Sequence, residues 1–187
     1  MKRRIDVSNT KLDGVQILQR KPIGDHRGYF ERLFCADELA DQMSNLPVKQ
    51  INHTRTERCH TIRGMHFQHP PHAEIKVVSC IRGRVFDVAL DLRVGSPTYL
   101  KWHAEVLTSD NHRSLLIPQG FAHGFQTLTD DCELIYLHTT FYAAEAEDGL
   151  NPLDPKLAIE WPAPPVCLSS RDSNQPYIEN TFQGVKI

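Results

Sequence analysis

Five side chains able to bind or move a proton interrupt apolar runs of this chain. His66 stands in Arg-Gly-Met-His-Phe-Gln, Lys76 in Ile-Lys-Val-Val and Asp87 in Val-Phe-Asp-Val. His123 stands in Phe-Ala-His-Gly-Phe and Tyr136 in Leu-Ile-Tyr-Leu. A buried lysine or aspartate is costly unless paired, so several together point to a polar cavity suited to proton chemistry. Taken singly, each has a plainer reading. A strand lysine usually faces solvent, and a histidine or tyrosine often completes a core with its polar tip satisfied. An aspartate often serves pairing or a turn. The inference rests on their joint occurrence.

A metal is the first alternative, because the chain carries ten histidines. Pro118-Gln119-Gly120-Phe121-Ala122-His123 resembles the P-x-G-x-x-H core of the second cupin motif, whose histidine is a ligand in metal cupins. Further ligands would have to come from His66, His69, His72 and Glu74. His66 and His69 are three apart, and strand residues share a face only at a spacing of two. One strand therefore cannot aim both at one ion, and no metal is expected.

The elements that must position these residues read as β-structure. EIKVVSC and VFDVALDL are β-branched and apolar, and Arg82-Gly83-Arg84 between them suggests a hairpin. Alternation puts Lys76 on the face of Val78 and Cys80. RSLLI, ended by Pro118-Gln119-Gly120, is a further strand, followed by FAHGFQTL. ELIYLHTTFY follows the Thr129-Asp130-Asp131 turn and puts Leu134, Tyr136 and His138 on one face. Residues 35–44 read as one short helix, with Leu39 and Met43 four apart. Short strands at near-regular spacing predict a jelly roll or barrel. After Trp161, PAPP leaves the sheet as an extended linker. Residues 1–187 are expected to form one domain, with a core over about 13–162 and a tail, 163–187, packing back on it.

Composition narrows the partners. A net charge of −2 gives no electrostatic basis for nucleic-acid binding. No apolar run approaches the roughly 20 residues of a membrane helix, and no signal-peptide core follows the basic start. The five cysteines are odd in number and contain no CxxC pair, which predicts a reducing, cytoplasmic setting.

The segments also resemble a known family. Asp25-His26-Arg27-Gly28-Tyr29-Phe30, Gln50-Ile51-Asn52-His53 and Arg63-Gly64-Met65-His66-Phe67-Gln68 match its D-x-R-G-x-F, Q-x-N and R-G-x-H-F-Q motifs. Lys76-Val77-Val78, Phe86-Asp87-Val88, Asp91-Leu92-Arg93, Gly120-Phe121-Ala122-His123-Gly124-Phe125, Tyr136, Tyr142 and Glu160-Trp161-Pro162 follow in its order. Ser169-Ser170-Arg171-Asp172 resembles its S-x-K-D tail motif. On these grounds the chain is identified as a member of the dTDP-4-dehydrorhamnose 3,5-epimerase family.

That resemblance implies an all-β, cupin-type double-stranded β-helix with a few short helices, working as a homodimer on a nucleotide sugar. It implies no cofactor, no metal and no membrane. The implied reaction inverts C3 and C5 of dTDP-4-dehydro-6-deoxy-D-glucose to give dTDP-4-dehydro-L-rhamnose. By resemblance, His66 is the base, Asp172 orients it, Lys76 sits by the enolate oxygen and Tyr136 returns the proton. Arg27 and Arg63 would clamp the diphosphate, where guanidinium geometry suits bidentate contact. Gln50, Asn52 and His123 would line the sugar pocket, and Arg32, Glu147 and Arg171 match further ligand-contact positions. Four positions depart from the family pattern. Arg32 stands where glutamate is common, Cys59 where glycine is, Pro152 where an aromatic is, and Arg171 where lysine is. Three alternatives remain: a single-centre 3- or 5-epimerase, a metal-dependent cupin enzyme, and a non-catalytic sugar-binding cupin.

Overall fold

The computed structural model describes residues 3–179 and 181–187. The chain is nearly all β, in two antiparallel sheets packed face to face. In chain order the strands are β1 (Ile5–Asn9), β2 (Gln16–Arg20), β3 (Ile23–Asp25), β4 (Gly28–Phe30), β5 (Gln50–Thr56), β6 (Ile62–Gln68) and β7 (Lys76–Arg82). They continue with β8 (Arg84–Asp91), β9 (Trp102–Thr108), β10 (Arg113–Ile117), β11 (Phe121–Thr127), β12 (Cys132–His138) and β13 (Glu147–Gly149). One sheet runs β1-β2-β10-β7-β12-β5 and the other β13-β6-β11-β8-β9, while β3 and β4 pair only with each other. This is the cupin-type jelly roll. The only α-helix among the described residues is α1 (Ser170–Ser173).

Alternation decides what each strand buries. In β8, Val85 and Ala89 face the layer between the sheets, while Val88 and Leu90 join a second cluster outside the five-stranded sheet. In β7, Val78 and Cys80 face inward, and Val77 packs outward with Ile5, Leu18, Leu39 and Leu137. Both outer faces thus carry an apolar cluster of their own. Ile178 and Val185 belong to the outer cluster of the five-stranded sheet.

Two expectations are corrected. β7 and β8 do not form a hairpin. β7 lies between β10 and β12, and β8 lies between β11 and β9, so the chain changes sheets at Gly83. Gly83 has φ +77°, and a Cβ there would lie 2.7 Å from Thr129 Oγ1 and 2.8 Å from Cys132 Sγ. Only glycine fits that corner, and the apolar pattern of the two strands is the same for a corner as for a hairpin. Residues 35–44 form successive turns rather than a helix. The Leu39 N–H reaches the Cys35 carbonyl and the Met43 N–H the Leu39 carbonyl, isolated bonds four residues apart, and Ser44 and Asn45, at φ +52° and +55°, end the segment. Leu39 and Met43 are still buried together, as their spacing of four predicts.

Candidate active site

The polar inner residues gather at one end of the sandwich and open into a cleft of about 560 Å³. Its walls come from different sheets. β6 and β11 supply Arg63, His66, His123 and Phe125, and α1 adds Asp172. β5, β7 and β12 supply Asn52, Thr54, Lys76, Tyr136 and His138. A smaller lobe of about 260 Å³ continues past Lys76 and His138 to Gln50, Tyr142 and Glu147.

The first wall depends on a close approach of β6 and β11. A Cβ on Gly64 would stand 2.6 Å from Gly124 Cα, so both strands need glycine there. The pairing register shifts beside this crossing, and His66 and His123 become Cα partners. His66 Nε2 lies 2.7 Å from Asp172 Oδ1. The carboxylate accepts from Nε2–H, which leaves Nδ1 as the lone-pair nitrogen. Asp172 is buried on α1, whose N-cap Ser169 Oγ accepts from the Asp172 N–H at 3.0 Å. Burial alone would raise the Asp172 carboxyl. The hydrogen bond and charge of His66, with donors from Ser169 and Gly64, outweigh that and hold it below the usual aspartate range. Asp172 is thus a fixed anion behind an imidazole, able to stabilise the imidazolium that proton abstraction creates.

A second His–carboxylate pair lies deeper. His123 Nε2 lies 2.8 Å from Asp87 Oδ1, with the Asp87 side chain fully buried. Burial lowers the His123 pKa against the opposing pull of Asp87, so the ring is neutral at neutral pH. It is better suited to a hydrogen bond with a ligand than to charge pairing.

The second wall carries Lys76 and Tyr136. Lys76 Nζ lies 3.3 Å from Glu74 Oε1, with both side chains 13% exposed. Burial would raise the Glu74 carboxyl, but Lys76 and His138 together lower it to about 2. Tyr136 is buried, and its hydroxyl meets Thr54 Oγ1 at 3.3 Å. Burial raises the phenol well above its ordinary value despite that bond, so it keeps its proton at any working pH.

The sequence-predicted residues divide clearly. His66, Lys76, Tyr136, Asp172, Asn52, Arg63, His123 and Arg171 share the main cleft, and Gln50 and Glu147 line its lobe. Arg63 Nε donates to Thr56 Oγ1 at 3.0 Å, and Arg171 Nη2 reaches Glu147 Oε1 at 2.7 Å. Arg27 and Arg32 line neither space. Arg27 sits on the β3–β4 turn, 78% exposed and paired with Asp25 at 2.6 Å, because that hairpin joins neither sheet. Arg32 is tied to Glu38, which also accepts the Arg4 and Ile5 N–H groups. His66 and His69 bond different carboxylates, Asp172 and Asp148. Among the described residues, no three His, Cys, Asp or Glu side chains stand together as a metal-ligand set. Sequence reasoning raised Glu74 only as a ligand of the rejected metal and did not place His138 in the site. Alternation did set His138 on the face of Tyr136, and that was the available signal.

Comparison with known proteins gives a consistent picture. The sequence profile of the dTDP-4-dehydrorhamnose 3,5-epimerase family matches residues 9–180. A dTDP-4-dehydrorhamnose 3,5-epimerase of Sinorhizobium fredii is 41% identical over 177 residues, covering 92% of this chain and 91% of that protein. A dTDP-4-dehydrorhamnose 3-epimerase of Streptomyces niveus is 38% identical over 164 residues, covering 87% of this chain and 79% of the relative. The crystal structure of the Legionella pneumophila 3,5-epimerase in complex with dTDP-4-keto-L-rhamnose superposes with a TM-score of 0.90 at 35% identity. That match covers 97% of this chain and 98% of the other.

Proposed function

The chain belongs to the dTDP-4-dehydrorhamnose 3,5-epimerase family, and from that premise we propose that it inverts C3 and C5 of dTDP-4-dehydro-6-deoxy-D-glucose to give dTDP-4-dehydro-L-rhamnose. The 4-keto group acidifies both neighbouring carbons, because either carbanion delocalises onto the keto oxygen. Inversion needs a base on one ring face, an acid on the other, and a donor or cation at that oxygen. One observation carries the reading: an Asp172-backed His66 on one sheet stands across the cleft from a protonated Tyr136 on the other. A base and an acid on the same wall could only return the proton to the face it left.

In this reading His66 takes the proton from C3 or C5, and Lys76 stabilises the enolate oxygen. Tyr136 then protonates the same carbon from the opposite side. That transfer runs downhill although the phenol is a weak acid, since the carbanion is the stronger base. Solvent resets His66 and Tyr136, so no net proton is consumed. Neutral His123, with Asn52 and Gln50, would hold sugar hydroxyls. Arg63 and Arg171 would meet the diphosphate.

We take the working unit to be a single-domain protomer, residues 1–187, in a cytoplasmic homodimer. Tyr29 and Phe30 on the β3–β4 hairpin and Ile51 on the edge strand β5 are 60%, 68% and 65% exposed, which supports protein contacts at both places. A second protomer would also give Arg27 a diphosphate to meet. All five cysteines are free, in keeping with a reducing compartment. No helix among the described residues is long and apolar enough to cross a membrane.

A relative named for 3-epimerisation alone makes single-centre inversion the second reading. Incubation with dTDP-4-dehydro-6-deoxy-D-glucose in D₂O, with C3 and C5 read separately by NMR, tests both. Deuterium and inversion at both carbons are expected. Inversion at one carbon supports the second reading, and no exchange at either refutes the epimerase reading.

A further inference from the structure

We propose that Glu74 and His138 form a positioning pair that holds Lys76 and Tyr136 in register on the second wall of the cleft. The proposal rests on the epimerase reading above and assigns that wall its support. Glu74 lies two residues before Lys76, just outside β7, and His138 ends β12. Lys76 and His138 are Cα partners across these neighbouring strands, so the pair sits where both strands end together.

One carboxylate serves both neighbours. Glu74 Oε1 takes Lys76 Nζ at 3.3 Å, and Oε2 takes His138 Nδ1 at 2.7 Å. A carboxylate only accepts, so the His138 proton must be on Nδ1. Its Nε2 is then the acceptor for Asn52 Nδ2 at 3.4 Å. The line continues outward. Asn52 Oδ1 accepts from Gln50 Nε2 at 3.1 Å, and Gln50 Oε1 accepts the Tyr142 N–H at 3.1 Å. On its other side the His138 ring stacks on Tyr136, with centroids 6.1 Å apart and planes 22° apart. The imidazole thus fixes the Tyr136 ring by contact and shares its carboxylate with Lys76.

A free lysine head sweeps several rotamers, and holding it in one has an entropic cost. An anion on the strand's own threshold offsets that cost before substrate arrives. Preorganised charge at a developing enolate is worth more than charge that must be recruited. The carboxylate can do this at any working pH, since Lys76 and His138 keep it ionised down to about 2 even against burial.

The test uses the intact protein with Glu74→Gln, Glu74→Ala and His138→Gln. Glu74→Gln keeps the size of the side chain and one acceptor oxygen but removes the charge. Its rate of deuterium exchange beside the keto group should fall about 10–100-fold, the range of one charge-assisted hydrogen bond. KM and dTDP affinity should stay within about threefold, because neither depends on the enolate. His138→Gln can still donate to Glu74 but has no ring to stack on Tyr136, so exchange should survive better than inversion. Histidine-selective ¹⁵N NMR without substrate reads the geometry independently: His138 should carry its proton on Nδ1, and lose that preference in Glu74→Ala. Three results overturn the proposal. They are an unchanged rate in Glu74→Gln, a loss of dTDP affinity parallel to the loss of rate, or His138 protonated on Nε2 in the parent protein. A parent protein that exchanges no deuterium refutes the epimerase reading and the pair's role with it, while the NMR result still reports whether the pair exists.

Discussion

Replacing Tyr136 with phenylalanine removes one oxygen from the second wall and leaves the ring. That hydroxyl meets Thr54 Oγ1 at 3.3 Å, and Thr54 is only half-buried, so water can replace the lost partner. One neutral hydrogen bond is worth about 0.5–1.5 kcal/mol, which for a chain of this size lowers the melting temperature by about 1–6 °C. The loss of a general acid costs far more, roughly 10²–10⁴-fold in rate, or about 3–5 kcal/mol of barrier. Activity should therefore collapse in a protein that remains folded. The kind of activity lost is the sharper signal. His66 can still form the enolate, and with its side chain 30% exposed it can trade its proton with solvent and return a deuteron to the original face. In D₂O, Tyr136→Phe should keep exchange at C3, C5 or both while inverted product falls by that factor. His66→Ala should lose exchange and inversion together. A variant that still exchanges must still bind and ionise its substrate, so misfolding is controlled within the assay. Wild-type inversion by Tyr136→Phe would move the acid elsewhere, and wild-type exchange by His66→Ala would remove His66 as the base.

Arg63→Ala should weaken dTDP binding by roughly 10–100-fold in calorimetry, since the diphosphate is common to substrate and dTDP. Unchanged affinity would show that Arg63 serves only its bonds to Thr56 and the Arg55 carbonyl. Turnover should be unaffected by excess chelator, because each proposed proton transfer uses a side chain of this chain. Loss of turnover restored by a divalent ion would refute the metal-free mechanism. Glu74 also predicts an acid limb of stability. Its folded pKa is depressed to about 2 from 4.5, so its contribution is full above about 4.5 and is lost as pH falls through 2. The shift corresponds to about 3 kcal/mol, and Glu74→Gln should flatten the pH dependence of urea unfolding between pH 5 and 2. An identical slope in both proteins would show that Glu74 does not carry it.

The candidate catalytic residues were easier to read from the sequence than the path joining them. Lys76, Asp87, His123 and Tyr136 break apolar alternation, and alternation is a local property that survives any arrangement of strands. Lys76 and Tyr136 therefore share the inner layer with Val78 and Leu134 in the fold, as their spacing required. Strand partnership is not local. The Arg82-Gly83-Arg84 segment suits a tight hairpin as well as the corner between sheets, and only the crowding by Thr129 and Cys132 selects the corner. Likewise, Leu39 and Met43 revealed a buried face but not whether a helix or successive turns would present it. Arg27 and Arg32 entered by motif alone, with no physical reason tying them to the cleft of their own chain.

Glu74 and His138 escaped for a further reason. Glu74 drew notice only as a possible metal ligand and His138 only as a neighbour of Tyr136 on one face, and their pairing arises only across the β7–β12 register. A mechanism that inverts a carbon needs two walls, and a jelly roll supplies them from two sheets that approach without being hydrogen-bonded to each other. The relative placement of acid and base is then set by side chains at the open end, not by a shared ladder. On the first wall, the Gly64–Gly124 crossing and Asp172 hold His66. On the second, Lys76 and Tyr136 stand in the ladder of β10, β7, β12 and β5, and the bonds from Glu74 and the stack from His138 fix their side chains. On the first wall one group thus rests on its carboxylate, Asp172, while on the second two rest on Glu74. Substitutions that spare every group touching substrate should therefore disturb inversion more readily from the second wall than from the first.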